Sequence, residues 1–202
     1  MKTILNFVMM WLLIIPAPAV LAADSAPDAL VKATVDDVLA VIKQNKDKQA
    51  LRALAEQKVL PHFDFKRMTQ LAVGAPWRQA NPAQQQALEN AFRTLLVNTY
   101  TNALSVSATG SQTTVEVKPA QAKAGQDEVI VKTTVKDSGK PPIAIDYRMA
   151  KSADGWKVFD VVVENLSLVT NYRGSFASEV SRSGVDGLIK VLDEKNRSLA
   201  KS

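Results

Sequence analysis

Residues 61–104 read PHFDFKRMTQLAVGAPWRQANPAQQQALENAFRTLLVNTYTNAL, and the rest of the chain is organised around them. Asp64 is placed to cap a helix in which Phe65, Met68, Leu71 and Ala72 keep one side apolar, and Gly74 stands where a left-handed C-terminal residue is needed. Pro76 forbids continuation. Asn81, Pro82 and Gln84 then supply an N-cap, a first-turn proline and a reciprocal capping partner, so a second helix is expected from Pro82. Along it Leu88, Ala91, Phe92, Leu95, Leu96, Tyr100, Ala103 and Leu104 recur at steps of three and four, a stripe wide enough to cover a sheet.

Towards the N-terminus, Ser25 and Asp28 form a capping pair ahead of a helical stripe of Val31, Val35, Val38, Leu39 and Ile42. Residues 45–47 break it, and a short helix with Leu51, Leu54, Ala55 and Val59 on one side runs to Pro61. At the start of the chain, Lys2 precedes an apolar run from Ile4 to Ile15, followed by Pro16, Pro18 and a small-residue ending at Ala22 or Ala23. Residues 1–23 are therefore expected to be a cleavable secretory signal, the run being shorter than the ~20 residues a spanning helix needs, and residues 24–202 the mature domain. The chain has no cysteine, which rules out disulfides and a lipidated cysteine, and export without disulfides fits a bacterial periplasm.

Towards the C-terminus the period changes to two after Ser111. Val115 and Val117 form one short strand; after a turn at 123–127, Val129, Val131, Thr133 and Val135 alternate with Ile130, Lys132, Thr134 and Lys136. A turn at 137–140 leads to Ile143, Ile145, Tyr147 and Met149 on one face, and Asp154-Gly155 to a last strand, Trp156 to Glu164. Strict alternation in that strand puts Trp156, Val158 and Val162 on one side and Phe159, Val161 and Val163 on the other. One of these faces is expected to pack on the long helix. Two further helices follow, through Tyr172 and Phe176 and then 185–196, parted at Gly184 and Asp186. Helices, then about four antiparallel strands, then helices make an α+β fold, its helical part about 25–105 plus the C-terminal helices and its sheet about 111–165.

The chemistry on offer is sparse. His62 is the only histidine, so no zinc set can be assembled, and the eight glycines form neither a phosphate loop nor a dinucleotide fingerprint. There is no nucleophile elbow. The formal charge of +5 falls to about +4 without Lys2, a mild bias that carries no nucleic-acid signature. Asp146 and Asp160 on neighbouring strands are the candidates for an acid pair of the isomerase kind. What the chain has in abundance is apolar surface, and composition does not separate a plain core from a ligand cavity.

The series FDFKRMTQLAVG, the pair Trp77-Arg78, FRTLLVNTYTNAL, VFDVVVENLSLVTNYRGSF and GVDGLIKVLDEKN, in this order over nearly all of the mature chain, resemble the MlaC family of periplasmic phospholipid-binding proteins, also called toluene-tolerance auxiliary proteins. The resemblance implies a cone-shaped NTF2-like sheet packed with a helical subdomain, lipid tails between them and no cofactor. It also implies a shuttle that carries glycerophospholipid between an outer-membrane lipoprotein–porin complex of the MlaA type and an inner-membrane ABC transporter with an MCE-domain protein of the MlaD type, preserving outer-membrane lipid asymmetry. Carried onto this sequence, the tail contacts are Leu71, Val73, Trp77, Phe92, Leu96 and Tyr100 from the helices and Val131, Val135, Ile145, Tyr147, Val158 and Val162 from the sheet. Leu168, Tyr172 and Phe176 complete them, and Lys66, Arg78, Arg148 and Arg173 are the candidates for the headgroup or a partner. A monomer is expected, with no nucleic-acid partner. The rival readings are an NTF2-like enzyme using Asp146 or Asp160 as base, and a periplasmic carrier of acylated or lipoprotein clients.

Overall fold

The structure is a computed structural model that describes residues 26–44, 48–107, 113–120, 122–123 and 125–201. The signal at 1–23, Ser25 and the break at 45–47 lie outside them. Three helices, α1 (Pro27–Gln44), α2 (Lys48–Leu54) and α3 (Phe65–Val73), precede the long α4 (Pro82–Ser107). The strands are β1 (Thr114–Val117), β2 (Glu128–Lys136), β3 (Ile143–Ser152), β4 (Gly155–Val163) and the two-residue β5 (Leu166–Ser167), and α5 (Leu168–Leu199) closes the chain.

The capping signals in residues 61–104 act as the sequence indicates. The Asp64 carboxylate accepts the Arg67 amide at 2.9 Å, and Gly74 ends α3 at φ 73°, ψ −139°, a conformation in which a β-carbon is strained. The capping box at α4 is reciprocal: the Gln84 amide donates to Asn81 Oδ1 at 2.9 Å and the Asn81 amide to Gln84 Oε1 at 3.0 Å. Trp77 is buried in a 3-10 turn between the two helices.

The strands form one antiparallel sheet in the order β1-β2-β3-β4-β5. Val131 faces Tyr147, Thr133 faces Ile145 and Val129 faces Met149, so these residues share one face, called inner below. Alternation fails in β4. Arg148 pairs with Asp160 while Met149 pairs with Val158, so Phe159 is a bulged extra residue and the strand changes phase across it. Val158 therefore shares the inner face with Val161 and Val163, and Val162 lies on the opposite face with Asp160, the reverse of the strict alternation read from the sequence.

Two apolar clusters hold the molecule together. In the first, α3, α4 and α5 bury Met68, Val73, Trp77, Leu88, Phe92, Leu96, Phe176 and Leu188 against one another. In the second, Val31 of α1 sits on Val131, Met149, Trp156 and Val158 at one end of the inner face. The expectation that α4 covers the sheet is not met. Its principal neighbours are α5, α2 and α3, because Phe92 meets Tyr172 and Phe176 of α5 edge-on at 5.1 and 5.3 Å, and the stripe is consumed there. The two expected C-terminal helices run on as α5, kinked at Gly184 (φ 71°, ψ −175°).

Phe63 and Asp64 join the helices to the sheet. Phe63 bridges Val158 in parallel and the Asp64 amide donates to the Val158 carbonyl at 2.8 Å, so β4 gains a neighbour where β5 does not reach.

Candidate functional site

The inner face is closed at one end and open at the other. At the closed end α1 seals Val129, Val131, Met149, Trp156 and Val158. Towards the other end Val135, Ile145 and Val163 are half-buried, Ile143 is 42% exposed, and none of them belongs to either cluster. Phe63 and Val161 touch both clusters, so the open strip begins where the helical layer and the sheet meet.

Tyr147 stands at the border between the closed and open parts. It faces Val131 on β2 and Val161 on β4, keeps some accessible surface, and yet lies deep enough that burial pushes its hydroxyl up to about 12. Tyr147 is thus partly covered, at the edge of the sealed cluster. Burial also raises Tyr100 and Tyr172; the neighbouring Tyr172 adds to the shift of Tyr100, and a hydrogen bond with Thr99 partly offsets that of Tyr172.

The structure divides the sequence-derived contacts into three groups. Val73, Trp77, Phe92, Leu96, Leu168 and Phe176 are buried inside the helical cluster, with Leu71 and Tyr172 at its edge. Val131 and Val158 are sealed beneath α1. Tyr147, Ile145, Val135 and the 43% exposed Tyr100 retain apolar surface, while Val162 faces away from the strip. Ile143, Val161, Val163 and Phe63 share the strip or its junction but were not among the contacts read from the sequence. Ile143 was legible from its alternation with Ile145; Val161 and Val163 were hidden by the bulge, and Phe63 by its extended setting between helices.

The cationic candidates lie elsewhere. Arg148 is on the opposite face, 3.6 Å from Asp160 and over the ring of Phe159, which Arg67 also covers at 3.7 Å. Arg173 Nε donates to the Leu71 carbonyl at 2.9 Å and so satisfies the end of α3; Lys66 and Arg78 are exposed. Asp160 is buried, accepting the Ser167 hydroxyl at 2.7 Å and the Val169 amide at 3.2 Å, and it shares the opposite face with Asp146. The register thus turns both aspartates away from the apolar strip, and an acid pair serving that strip has no geometry here.

Two recesses along α4, of about 360 and 380 Å³, are lined by amide, hydroxyl and charged groups such as Asn90, Thr94, Arg197 and Arg93. None of the predicted tail contacts lines either. Among the described residues no group of three His, Cys, Asp or Glu could hold a metal ion, and no helix is long and apolar enough to cross a membrane.

Residues 32–194 match the family model described as MlaC protein. The chain belongs to the MlaC family. It is 26% identical over 183 residues to the toluene tolerance protein ttg2D of Pseudomonas putida, across 87% of this chain and 82% of that one. It is 20% identical over 200 residues to the intermembrane phospholipid transport system binding protein MlaC of Haemophilus influenzae, across 95% and 91%. A solved structure of a phospholipid-binding protein from Ralstonia solanacearum, in complex with a phospholipid, is similar with a TM-score of 0.78 and 43% identity, over 87% of this chain and 99% of that one. The open five-stranded sheet packed with helices is therefore the architecture of an MlaC-family protein.

Proposed function

We propose that this protein is a periplasmic carrier that takes the acyl chains of a glycerophospholipid against the open strip formed by Val135, Ile143, Ile145, Tyr147, Val161 and Val163. The observation that carries this reading is the 43% identity to a phospholipid-complexed structure over nearly the whole of that chain, joined to a strip of branched side chains that the protein's own core leaves uncovered. No cation faces the strip from its own strands, so the headgroup stays towards solvent and the tails supply the affinity.

The energetics favour a carrier that exchanges only on contact. At about 0.8 kcal/mol per buried methylene, two chains of roughly 30 methylenes in all avoid on the order of 20 kcal/mol of exposure, near the ceiling of non-covalent affinity. Escape into water is negligible. Unloading then requires docking, and the finer role is a shuttle between an outer-membrane lipoprotein–porin complex and an inner-membrane ABC transporter with an MCE-domain ring.

Native mass spectrometry of the protein purified from the periplasm, followed by extraction and lipid identification, tests this. Glycerophospholipid at fixed stoichiometry supports the carrier. A stable protein that carries none and takes up none sinks it, and copurifying acylated protein in place of free lipid favours a chaperone.

A further inference from the structure

Asn196 of α5 is 9% exposed and reaches across to α4, where its Nδ2 donates to the Ala91 carbonyl at 2.8 Å. That bond fixes the orientation of the amide. Its Oδ1 is buried and accepts a hydrogen bond from no described residue. An amide oxygen kept from both water and protein costs free energy, so it calls for a donor from outside the fold. Asn196 also lines the recess of about 360 Å³ between α4 and α5, together with Asn90, Thr94, Asp193 and Arg197. Asp193 and Arg197 are four residues apart on α5, the spacing at which Lys32 and Asp36 pair at 2.6 Å. Yet both are exposed, and neither side chain forms an ion pair with the other or with another described residue. The recess thus has an unspent acid and an unspent base on its rim and an unspent acceptor beneath.

These groups define a ligand. The Asn196 Oδ1 needs an N–H, and Asp193, three residues before it on the same side of α5, needs a cation. Thr94 gives its hydroxyl proton to the Asn90 carbonyl at 2.8 Å and keeps lone pairs for a further N–H. A primary ammonium, with three donors and one charge, serves all three. Arg197, about 6 Å from Asp193 along the helix axis, calls for an anion at that remove, and its planar fork suits a phosphate. An α-amino acid holds its charges closer together, whereas ethanolamine phosphate sets them apart by two carbons and an ester oxygen. We propose that the recess between α4 and α5 binds a phosphoethanolamine group, its ammonium on Asn196 Oδ1 and Asp193 and its phosphate on Arg197. The two rim side chains are unanchored and give way as the ammonium enters. No residue of the open strip lines this recess, so a phospholipid whose headgroup sits here keeps its tails in a bilayer. The site is therefore separate from the acyl-chain strip and does not rest on the carrier reading.

Phosphocholine is the matched control, because its quaternary ammonium keeps the charge and has no N–H. In NMR titrations of isotope-labelled protein, phosphoethanolamine is expected to move the Asn196 side-chain amide signals and to bind about tenfold more tightly than phosphocholine, the value of a charge-assisted hydrogen bond. Asn196→Leu should abolish that preference. Asp193→Asn and Arg197→Gln, at exposed positions where the melting temperature should hold, should each weaken phosphoethanolamine about tenfold, and they keep the test decisive if the buried variant fails to fold. Co-sedimentation with vesicles of phosphatidylcholine, alone or with an equal part of phosphatidylethanolamine, separates the two sources of the group. Recruitment by phosphatidylethanolamine that is lost in the rim variants assigns the site to a bilayer headgroup; binding of phosphoethanolamine without recruitment assigns it to a soluble ligand. Equal affinity for the two phosphoesters, an Asn196 signal that stays in place, or rim variants that bind as the wild type does overturns the assignment.

Discussion

The hydroxyl of Ser167 donates to the carboxylate of Asp160 at 2.7 Å, and through it β4 fixes the start of α5. The same hydroxyl oxygen accepts the Thr170 amide at 3.0 Å as the helix N-cap, and the other carboxylate oxygen accepts the Val169 amide at 3.2 Å. With Asp160 2% exposed, its removal takes the acceptor from the Ser167 hydroxyl and from the buried Val169 amide. Asp160→Ala is expected to destabilise the fold by about 2–4 kcal/mol in urea titrations, and Asp160→Asn by less, because one acceptor survives. Tight phospholipid retention by any folded Asp160→Ala fraction would confirm that the carboxylate is structural; a loss of stability under about 0.5 kcal/mol would not fit this account.

Core and lining residues are separable by experiment. Phe92 is fully buried and packs edge-on against α5, so Phe92→Ala should cost about 3–5 kcal/mol. Ile145 lies in the open strip and belongs to neither apolar cluster, so added bulk there meets open space before it meets core. Ile145→Trp is expected to shift stability by less than about 1 kcal/mol while sharply lowering the phospholipid recovered per protein molecule. If both variants lose lipid only in proportion to stability, the strip is ordinary surface.

His62 makes stability depend on pH in a definite direction. Burial, and then the neighbouring Lys157 ammonium, hold its pKa below the ordinary 6.5. The folded state thus binds this proton less readily than the unfolded chain. Stability is full above the ordinary value, falls as pH drops through it, and levels off below the lowered folded value. Melting temperatures taken between about pH 7.5 and pH 5.5 should decline in the wild type and decline less in His62→Gln.

Gly184 sets the bend in α5. Its φ of 71° with ψ −175° lies in a region that is essentially confined to glycine. Gly184→Ala should cost about 1–3 kcal/mol, whereas alanine at the helical Gly174, where a β-carbon meets nothing within 4 Å, should be neutral or slightly stabilising. Equal melting temperatures for the two variants would mean that the kink is not maintained by Gly184.

Local chemistry was legible in the sequence where neighbours along the chain decide it. Asp64, Gly74, Asn81, Pro82 and Gln84 mark the ends of α3 and the start of α4 because a cap is a bond between residues three or four apart. Alternation located β2 and β3, and the ordered motifs over most of the mature chain indicated the family. Tertiary structure decided the rest. The partner of the α4 stripe was not encoded in its period, since an amphipathic face does not specify what covers it, and the aromatic edge contacts with α5 settled that question. The bulge at Phe159 moved Val161 and Val163 to the inner face and turned Val162 and Asp160 away, because one extra residue reverses every side chain beyond it. Which apolar residues are core and which remain open to a lipid depends on the burial left over after α1, α3, α4 and α5 have packed, a quantity that exists only in the folded chain.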